Sequence, residues 1–439
     1  MASTYLNKTF GTPTSTQKCT HSFWFKLGSD FTEINFSGMW DNYYSFDIVL
    51  DSSSRFRVYS DNTTPTKAIE YVTNRVLRDP SAWYHAVVSI DTTQSGGNRV
   101  KIYINGVQET SFATTFEPNQ NDSVNIVLGT HSAETSIGRT PAGGGGNYFD
   151  GSITHYHYVD GTAYDADTFG ETDATTGIWK PKTAPSVTYG NNGFFLKFEN
   201  SGAFGTDSSG NANNFTVNGT MTQTIDTPSN VFCTLNPLTT DSGVTLSNGN
   251  TESDYDASVG NAKGTLAFSS GKYYWEVKIA TSASSYPMLG IGSVDEAQMQ
   301  QPTGGSYPGG FTNSYGAYGN GNVYANGSNT GSQGFTWTTN DIIGIAVDLD
   351  SATKTIKWFK NGSEIASYNI TNVVSFASID YNGAEASVNL QYNFGNGYFG
   401  TTAVSSAENP DDGIGIFEHT PPTGYKALCT KSINAQEYD

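Results

Sequence analysis

Basic residues are scarce in this sequence of 439 residues. It contains 22 Lys and Arg but 41 Asp and Glu, which gives a formal net charge of −19. The acidic residues are scattered along the chain rather than gathered in a tail. Because nucleic-acid binding requires basic side chains that neutralise phosphates, we expect no nucleic-acid partner.

Long apolar runs are also missing. No run of about 18 apolar residues is present, so the sequence predicts no membrane insertion. The first residues, Met1 to Lys8, lack the basic and apolar regions of a secretory signal. We therefore expect synthesis in a cytoplasm without export through a signal peptide.

Cysteine is rare. The three cysteines, Cys19, Cys233 and Cys429, lie far apart and match no metal-ligand spacing. One of them has no partner whichever disulfide forms. We predict that all three are small buried hydrophobic residues.

Helical periodicity is absent over any stretch of three turns, and the best helical candidate is the short segment Thr162 to Phe169. Aromatic residues make up 13% of the chain and 48 glycines divide it, a composition that favours short strands joined by tight turns. We therefore predict an all-β fold with two antiparallel, jelly-roll-like β-sandwich domains in tandem.

Changes in composition place the domain boundaries. We assign residues 1–222 to the first sandwich, 223–243 to a linker, 244–410 to the second sandwich and 411–439 to a tail that packs on the modules. Asn-Gly pairs at Asn105, Asn361 and Asn382 predict type I′ hairpin turns.

Three places in the first half carry a pattern: Ser22 to Lys26, Trp83 to Val88 with Val100 to Gly106, and Ile137 to Arg139 with Phe149 to Ile153. The first two alternate aromatic and aliphatic residues, and in the third Asp150-Gly151 ends a loop before a strand. Together they resemble the laminin-G or concanavalin A-like lectin sandwiches. The resemblance implies a module that often binds sugars, sometimes through calcium. Residues 193–220 look like the opening strands of such a module but follow its closing ones, so we predict a circular permutation.

The second half is similar to the SPRY family over residues 244–394. The resemblance rests on Gly271 to Val277, Leu289 to Gly292, Asp341 to Asp350, Ile356 to Gly362 and Tyr392 to Gly395, in that order. It implies a sandwich that binds other proteins through loops at one end. We expect Glu276, within the Trp-Glu-Val string, to be a hydrogen-bonded sheet residue rather than half of a catalytic carboxylate pair.

The loop-like segment Gln300 to Gly334 is rich in Gly, Tyr, Asn and Ser, a composition typical of adaptable recognition surfaces. Tyr307, Tyr315, Tyr318 and Tyr324 are its candidate ligand-binding residues, because tyrosine offers a large amphipathic contact area at little entropic cost. The alternative is an insertion without a partner.

Calcium is the candidate cofactor. Asp41, Asp122 and Asp150, with Asn42 and Asn121 beside them, lie in polar loops and offer the hard oxygen ligands that calcium takes. The simpler interpretation, which we favour, makes them turn residues. Asp207, Ser209 and Asn211 resemble the start of a calcium loop but lack its later glycine and glutamate, so a turn is again preferred.

Catalytic patterns are absent. The sequence has no Glu-x-Asp-x-x-Glu string for glycoside hydrolysis, no Gly-x-Ser-x-Gly elbow and no phosphate-binding glycine loop. His155 and His157 alternate on one strand, where a surface face is favoured over a metal site. We predict that the protein is not an enzyme.

The order of modules and the closing stretch Pro421 to Leu428 are similar to structural proteins of marine tailed bacteriophages. This resemblance implies a virion protein, homo-oligomeric in the assembly, that contacts other virion proteins and binds host-surface glycan or protein through sandwich loops. A capsid decoration or cement protein, which contacts only virion subunits, is the alternative. An intracellular SPRY adaptor is a further one.

Overall fold

A computed structural model confirms the predicted all-β class, with 46% of the residues in strands and 3% in helices. The structure describes residues 4–28, 33–41, 43–63, 66–141, 147–256, 259–282, 287–302, 306–372, 374–383 and 388–438. The chain divides into two compact units, Met1–Gln223 and Thr224–Asp439.

The first unit is built from strands that pair antiparallel. In chain order they are β1 (Tyr5–Thr9), β2 (Lys18–Leu27), β3 (Ile34–Trp40), β4 (Ser45–Leu50), β5 (Arg55–Thr63), β6 (Thr66–Val76), β7 (Trp83–Asp91), β8 (Val100–Ile104), β9 (Val107–Gln108), β10 (Phe112–Phe116), β11 (Glu134–Ile137), β12 (Gly151–Asp160), β13 (Gly170–Thr172), β14 (Trp179–Pro181), β15 (Phe194–Leu196) and β16 (Thr216–Asn218). The predicted helix is a single 3₁₀ turn, Ala166–Thr168.

Two large sheets face each other in this unit. One has eight strands in the order β10-β6-β5-β4-β3-β11-β1-β16, and the other has six in the order β15-β12-β2-β7-β8-β9. Their inner faces enclose an apolar core in which Phe23, Phe25, Phe36 and Tyr156 are fully buried. Strands β15 and β16, late in the sequence, each join an edge of these sheets, so residues 193–220 belong to both layers.

A second apolar layer covers the outer face of the six-stranded sheet. Val87, Tyr103 and Val159 point out of that sheet and pack against Ala166 and Phe169 of the segment that follows β12. Burial on both faces explains why β2 and β7 are buried along nearly their whole length. Continuous burial of this kind requires apolar or internally hydrogen-bonded residues on both sides of the strand.

The second unit repeats the two-sheet plan with its own strands. They are β17 (Val244–Ser247), β18 (Glu252–Tyr255), β19 (Val259–Gly260), β20 (Lys272–Thr281), β21 (Met288–Ser293), β22 (Ser314–Tyr318), β23 (Asn322–Ala325), β24 (Ser328–Ser332), β25 (Ile342–Asp348), β26 (Thr355–Lys360), β27 (Ser363–Asn369), β28 (Phe376–Gly383), β29 (Val388–Asn393), β30 (Tyr398–Phe399), β31 (Thr402–Ala403) and β32 (Lys426–Ala427). The helices are α1 (Ala297–Gln300) and α2 (Thr430–Tyr438).

One sheet of this unit has the order β17-β18-β29-β20-β25-β26-β27, with β32 added in parallel to β20, and the other has the order β19-β28-β21-β22-β23-β24. The core between them contains three fully buried tryptophans, Trp275, Trp337 and Trp358. The indole N–H of Trp358 donates to the carbonyl of Leu289 on the opposite sheet at 2.9 Å. This bond satisfies the polar atom of a large buried ring.

The segment that composition assigns to a linker is part of the second unit. Phe232, Cys233 and Leu235 are buried there, and the backbone N–H of Cys233 donates to Leu428 at 3.0 Å. The prediction that all three cysteines are buried is confirmed. Two of the three hairpin predictions are confirmed by positive φ angles at Asn105 and Asn361, whereas Asn382 lies inside β28.

The carboxylate of Glu276 holds the C-terminal segment against the outer face of β20. Glu276 is fully buried and accepts hydrogen bonds from Tyr274, from Asn393 and from the backbone N–H groups of Glu418 and His419. The carboxylate also raises the pKa of the His419 imidazole, whose Nδ1 lies 3.3 Å away. The prediction of a hydrogen-bonded sheet residue matches this geometry.

The same outer face carries an apolar cluster under the tail. Tyr274 and Ala346 point out of the sheet and pack against Phe417, Tyr425 and Ala427. Tail and sheet are therefore joined by apolar contacts that surround the buried carboxylate of Glu276. Loss of this carboxylate leaves several hydrogen-bond donors without a partner.

Replacing Glu276 with Ala should destabilise the second unit by about 2–4 kcal/mol, because the donors that converge on the buried carboxylate lose their acceptor. Denaturant unfolding measures the change in free energy. Hydrogen exchange should show the largest loss of protection in residues 417–429.

Glu364→Ala is the matched control. Glu364 makes an exposed ion pair with Lys357 at 2.9 Å on the same sheet, and such pairs contribute about 0–1 kcal/mol. Equal destabilisation by the two substitutions would contradict the role assigned to Glu276.

A second buried carboxylate, Asp380 on β28, predicts a pH dependence of stability. Burial raises the pKa of Asp380 to about 7, against the opposing effect of hydrogen bonds from Tyr255 and from the N–H of Ala262. The folded-state pKa exceeds the unfolded value, so this contribution is fully present below about pH 4 and is lost as the pH rises through about 7.

Asp380→Asn should remove this contribution, since the amide does not titrate. As the pH rises from 5 to 8, the unfolding free energy of the variant should therefore increase relative to that of the natural protein. Urea unfolding at several pH values gives the comparison, and parallel pH profiles of the two proteins would show that Asp380 is not the titrating group.

Candidate functional site

The four candidate tyrosines of the 300–334 segment do not lie together. Tyr315 is 0% exposed, lies on β22 opposite Ile291, and packs in the core of the second unit. Its inclusion among the ligand-binding residues is therefore corrected. The segment forms strands rather than one open loop, and alternation along β22 turns Tyr315 inward.

The other three tyrosines form one surface with a residue that the sequence analysis did not identify. Tyr307, Tyr318 and Tyr324 are half-buried, as is Tyr381 on β28. The ring centroid of Tyr307 lies 5.6 Å from that of Tyr324 and 5.6 Å from that of Tyr381. We name these four residues the tyrosine face.

Strand pairing brings the members of the face together. Met288 on β21 lies opposite Tyr318 on one side and opposite Tyr381 on the other. Directly opposed residues point to the same face of a sheet, so both tyrosines project outward beside Met288. Tyr324 follows one strand further on, opposite Gly316.

The loop between β21 and β22, which carries Met299 and Phe311, limits the extent of the face. Met299 and Phe311 pack on the outer side of Ala377 and Ile379, and a side chain at Gly292 or Gly316 would collide with Phe311 or Pro308, respectively. The loop thus buries the part of the outer face around Ala377 and Ile379. Tyr307 lies at the edge of this loop, where its ring contacts the rings of Tyr324 and Tyr381.

The electrostatics of the face are weak. The pKa of Tyr381 is raised, first by burial and then by the neighbouring hydroxyls of Tyr318 and Tyr307 and the carboxylate of Asp241. Asp241 is itself 6% exposed and accepts the backbone N–H of Asn261 at 3.0 Å. Tyr381 is therefore a neutral phenol near physiological pH. Tyrosine hydroxyls both donate and accept hydrogen bonds.

The alternation of inward and outward residues along β28 could have identified Tyr381 from the sequence. Phe376, Ser378 and Asp380 point inward, and Ala377, Ile379 and Tyr381 point outward. A tyrosine at the end of an outward series marks a half-exposed position once the strand is recognised.

The aspartates proposed as calcium ligands are spread over the first unit. Asp150 lies beside the end of β2. Asp122 lies near the beginning of β2, where its carbonyl accepts a hydrogen bond from the hydroxyl of Thr92. A strand of this length spans about 33 Å. Asp41 lies in the turn after β3, and Asn42 is outside the described residues.

The carboxylates of Asp41 and Asp122 bind nearby backbone groups. Asp41 accepts the N–H groups of Tyr43 and Tyr44 at 2.7 and 2.8 Å, and Asp122 accepts that of Asn119 at 3.0 Å. Where residues are described, no group of three or more His, Cys, Asp or Glu is placed to hold a metal ion. These geometries are those of turn residues.

Asp207 likewise acts as the centre of a turn. Its carboxylate accepts four hydrogen bonds, from the N–H groups of Phe195, Ser209 and Asn213 and from the hydroxyl of Ser209. The asparagine side chains of the loop donate to carbonyls of residues 190–193. The loop therefore ties β15 to the turn before it.

One buried serine–histidine pair has the contacts of a catalytic pair without its chemistry. The Oγ of Ser22 lies 2.9 Å from Nε2 of His85, and both residues are fully buried. The indole N–H of Trp179 donates to Nδ1 of the same ring at 3.1 Å. Indole is only a donor, so Nδ1 is the acceptor and Nε2 carries the proton. His85 therefore donates to Ser22 and is not placed to remove its proton.

The prediction of a surface position for His157 is wrong. His157 is 2% exposed, because its ring is stacked between Phe195 and the covering segment, where Nδ1 contacts the hydroxyl of Tyr189 at 2.8 Å. Burial lowers the pKa values of His157, of His85 to about 3 and of His21 to about 4. These imidazoles are neutral at physiological pH and serve packing and hydrogen bonding.

Family models match one segment in each unit. Residues 2–168 match the family described as the concanavalin A-like lectin/glucanases superfamily, and residues 272–389 match the SPRY domain family. No curated protein matches the chain. Neither helix within the described ranges combines the length and apolar character needed to cross a bilayer.

Solved SPRY structures resemble part of the chain. The human HERC1 SPRY domain is 16% identical, with 36% of this chain and 96% of that one covered and a TM-score of 0.31. The TRIM65 PSpry domain is 12% identical, with 37% and 88% covered and a TM-score of 0.30.

Domains of the two matched families commonly mediate binding to proteins or glycans and are generally not enzymes. The N-terminal part of the chain is thus similar to laminin-G/concanavalin A-like domains and the C-terminal part to SPRY domains.

Proposed function

We propose that this protein is a non-enzymatic component of a tailed-phage virion surface that binds glycan or protein on the host cell. The tyrosine face carries the proposal for binding, because it is a half-exposed cluster of large amphipathic side chains on a paired sheet. Such residues dominate the energetics of binding surfaces and are little weakened by conformational entropy.

Support for a virion location comes from the resemblance to structural proteins of marine tailed phages, in module order and in the stretch Pro421 to Leu428. We expect the protein to assemble as a homo-oligomer alongside other virion proteins. Several copies would multiply a weak individual affinity for a repeated host ligand.

The absence of catalysis is part of the same proposal. Glu276 accepts hydrogen bonds within the domain, and the Oγ of Ser22 accepts a hydrogen bond from Nε2–H of His85 rather than donating one to that ring. Both arrangements suit structural roles, in which the buried polar groups fix the packing of the sheet.

The alternative function is a cement protein that contacts other virion subunits alone. The edge strand Ser328–Ser332 favours it, since all five residues are exposed and the strand pairs with β23 on one side. An edge of this kind can accept another strand.

Adsorption of phage particles separates the two functions. Particles that carry Tyr324→Ala should adsorb to host cells at least about tenfold more slowly, since truncation of a central interface tyrosine costs on the order of 2 kcal/mol. Their resistance to heat should be unchanged. Particles with Tyr43→Ala, an exposed tyrosine of the first unit, serve as the matched control and should adsorb normally.

Normal adsorption by intact particles that lack the protein, together with loss of heat resistance, would favour the cement function. Failure to detect the chain in purified particles by mass spectrometry would refute the virion proposal itself.

A further inference from the structure

The stretch of sequence that carries most of the tyrosine face contains no acidic or basic side chains of Asp, Glu, Lys, Arg or His. Residues 297–340 contain no Asp, Glu, Lys, Arg or His, although the whole chain has 41 acidic and 22 basic residues. Three of the four tyrosines of the face belong to this stretch. Along this stretch a ligand therefore meets hydroxyls, amides and rings rather than charges.

One charged group, the carboxylate of Asp241, influences the face electrostatically, but a ligand cannot reach it. Asp241 raises the pKa of Tyr381, but it is buried, bonded to the N–H of Asn261 and attracted to the ammonium group of Lys263. Lys263 is 1% exposed and donates to the carbonyls of Thr239 and Gln301. Recognition of a charged ligand requires a desolvated partner of opposite sign, which neither group offers.

The position of the face within the sheet limits the kind of ligand further. Strands β28, β21, β22 and β23 are each hydrogen-bonded on both sides. A peptide that lies on them finds no free main-chain donors or acceptors, and recognition by strand addition requires such groups. The ligand must be held by side chains.

The side chains of the face are suited to a sugar. Tyr324 and Tyr307 are nearly perpendicular, with an interplanar angle of 82°, so the two rings fix each other. The amide of Asn329 donates to the hydroxyl of Tyr324 at 3.3 Å. A pyranose presents an apolar C–H side for a ring and hydroxyls for phenols and amides, which is the combination of groups on this face.

We propose that the ligand of the tyrosine face is a neutral glycan. The inference rests on the proposed binding function and adds the ligand class and the site. Tyr318 and Tyr381 are two strands apart, which places their backbones about 9–10 Å from each other. This span exceeds one sugar ring, so the ligand is an oligosaccharide.

The test measures binding of the full-length protein to a glycan array and to host cells. Neutral oligosaccharides should bind and should compete with the cells, whereas sulfated and uronic acid glycans should not. Because the ligand is uncharged, the affinity should stay the same from 0.05 to 1 M salt, a range in which attraction between exposed charges is screened.

Variants locate the site. Tyr307→Ala and Tyr324→Ala should each weaken glycan binding about tenfold or more, as truncation of a central aromatic contact does. Tyr324→Phe, which keeps the ring, should retain most of it. Tyr43→Ala is the control with unchanged affinity, and thermal unfolding of each variant checks that the fold is intact.

The outcomes separate the inference from the proposed function. No binding to host cells refutes the proposed function and the inference together. Cell binding that is lost with Tyr324→Ala but is abolished by protease treatment of the cells, falls steeply with salt or is not competed by neutral glycans refutes the glycan inference alone. Loss of glycan binding with Tyr43→Ala, but not with Tyr324→Ala, places the site on the first unit and refutes the assignment to the tyrosine face.

Discussion

A sheet in a β-sandwich has an inner face that forms the core and an outer face that meets water or a second layer. In each unit of this protein the outer face of one sheet is covered by a segment that returns along the chain. The segment after β12 covers the six-stranded sheet of the first unit, and the C-terminal segment covers β20 and β25 in the second. This covering decides which outer surfaces remain for a ligand.

Buried ionisable groups hold the covering layers in place. Glu276 accepts the backbone of Glu418 and His419, and His85 accepts the indole N–H of Trp179. In a low-dielectric interior these groups are strong anchors when every bond is made and costly when one is lost. The polar interior is thus consistent with two families that commonly bind and generally do not catalyse.

The acidity of the chain gives the tyrosine face its distinct character. The formal net charge of −19 disfavours anionic ligands for the molecule as a whole. A neutral surface of tyrosine, asparagine and glycine depends instead on shape and hydrogen bonds. This surface ends where the loop with Met299 and Phe311 covers Ala377 and Ile379.

The sequence by itself determined the β class, the inward and outward alternation of Tyr274, Trp275 and Glu276, and the positive-φ turns at Asn105 and Asn361. These features follow from periodicity and from the local conformational preferences of the residues. It also identified most of the tyrosines that the face contains.

Only the tertiary structure decided which tyrosines share a surface. Tyr381 joins Tyr318 because β21 pairs with both of their strands, and Tyr315 is excluded because the register of β22 turns it inward. The start of the helix Thr430–Tyr438 bonds to Val231, and the burial of His157 depends on Phe195 and Tyr189, so both rest on distant segments. Strand partners and covering layers are chosen by contacts far apart in the chain, and local patterns do not record them.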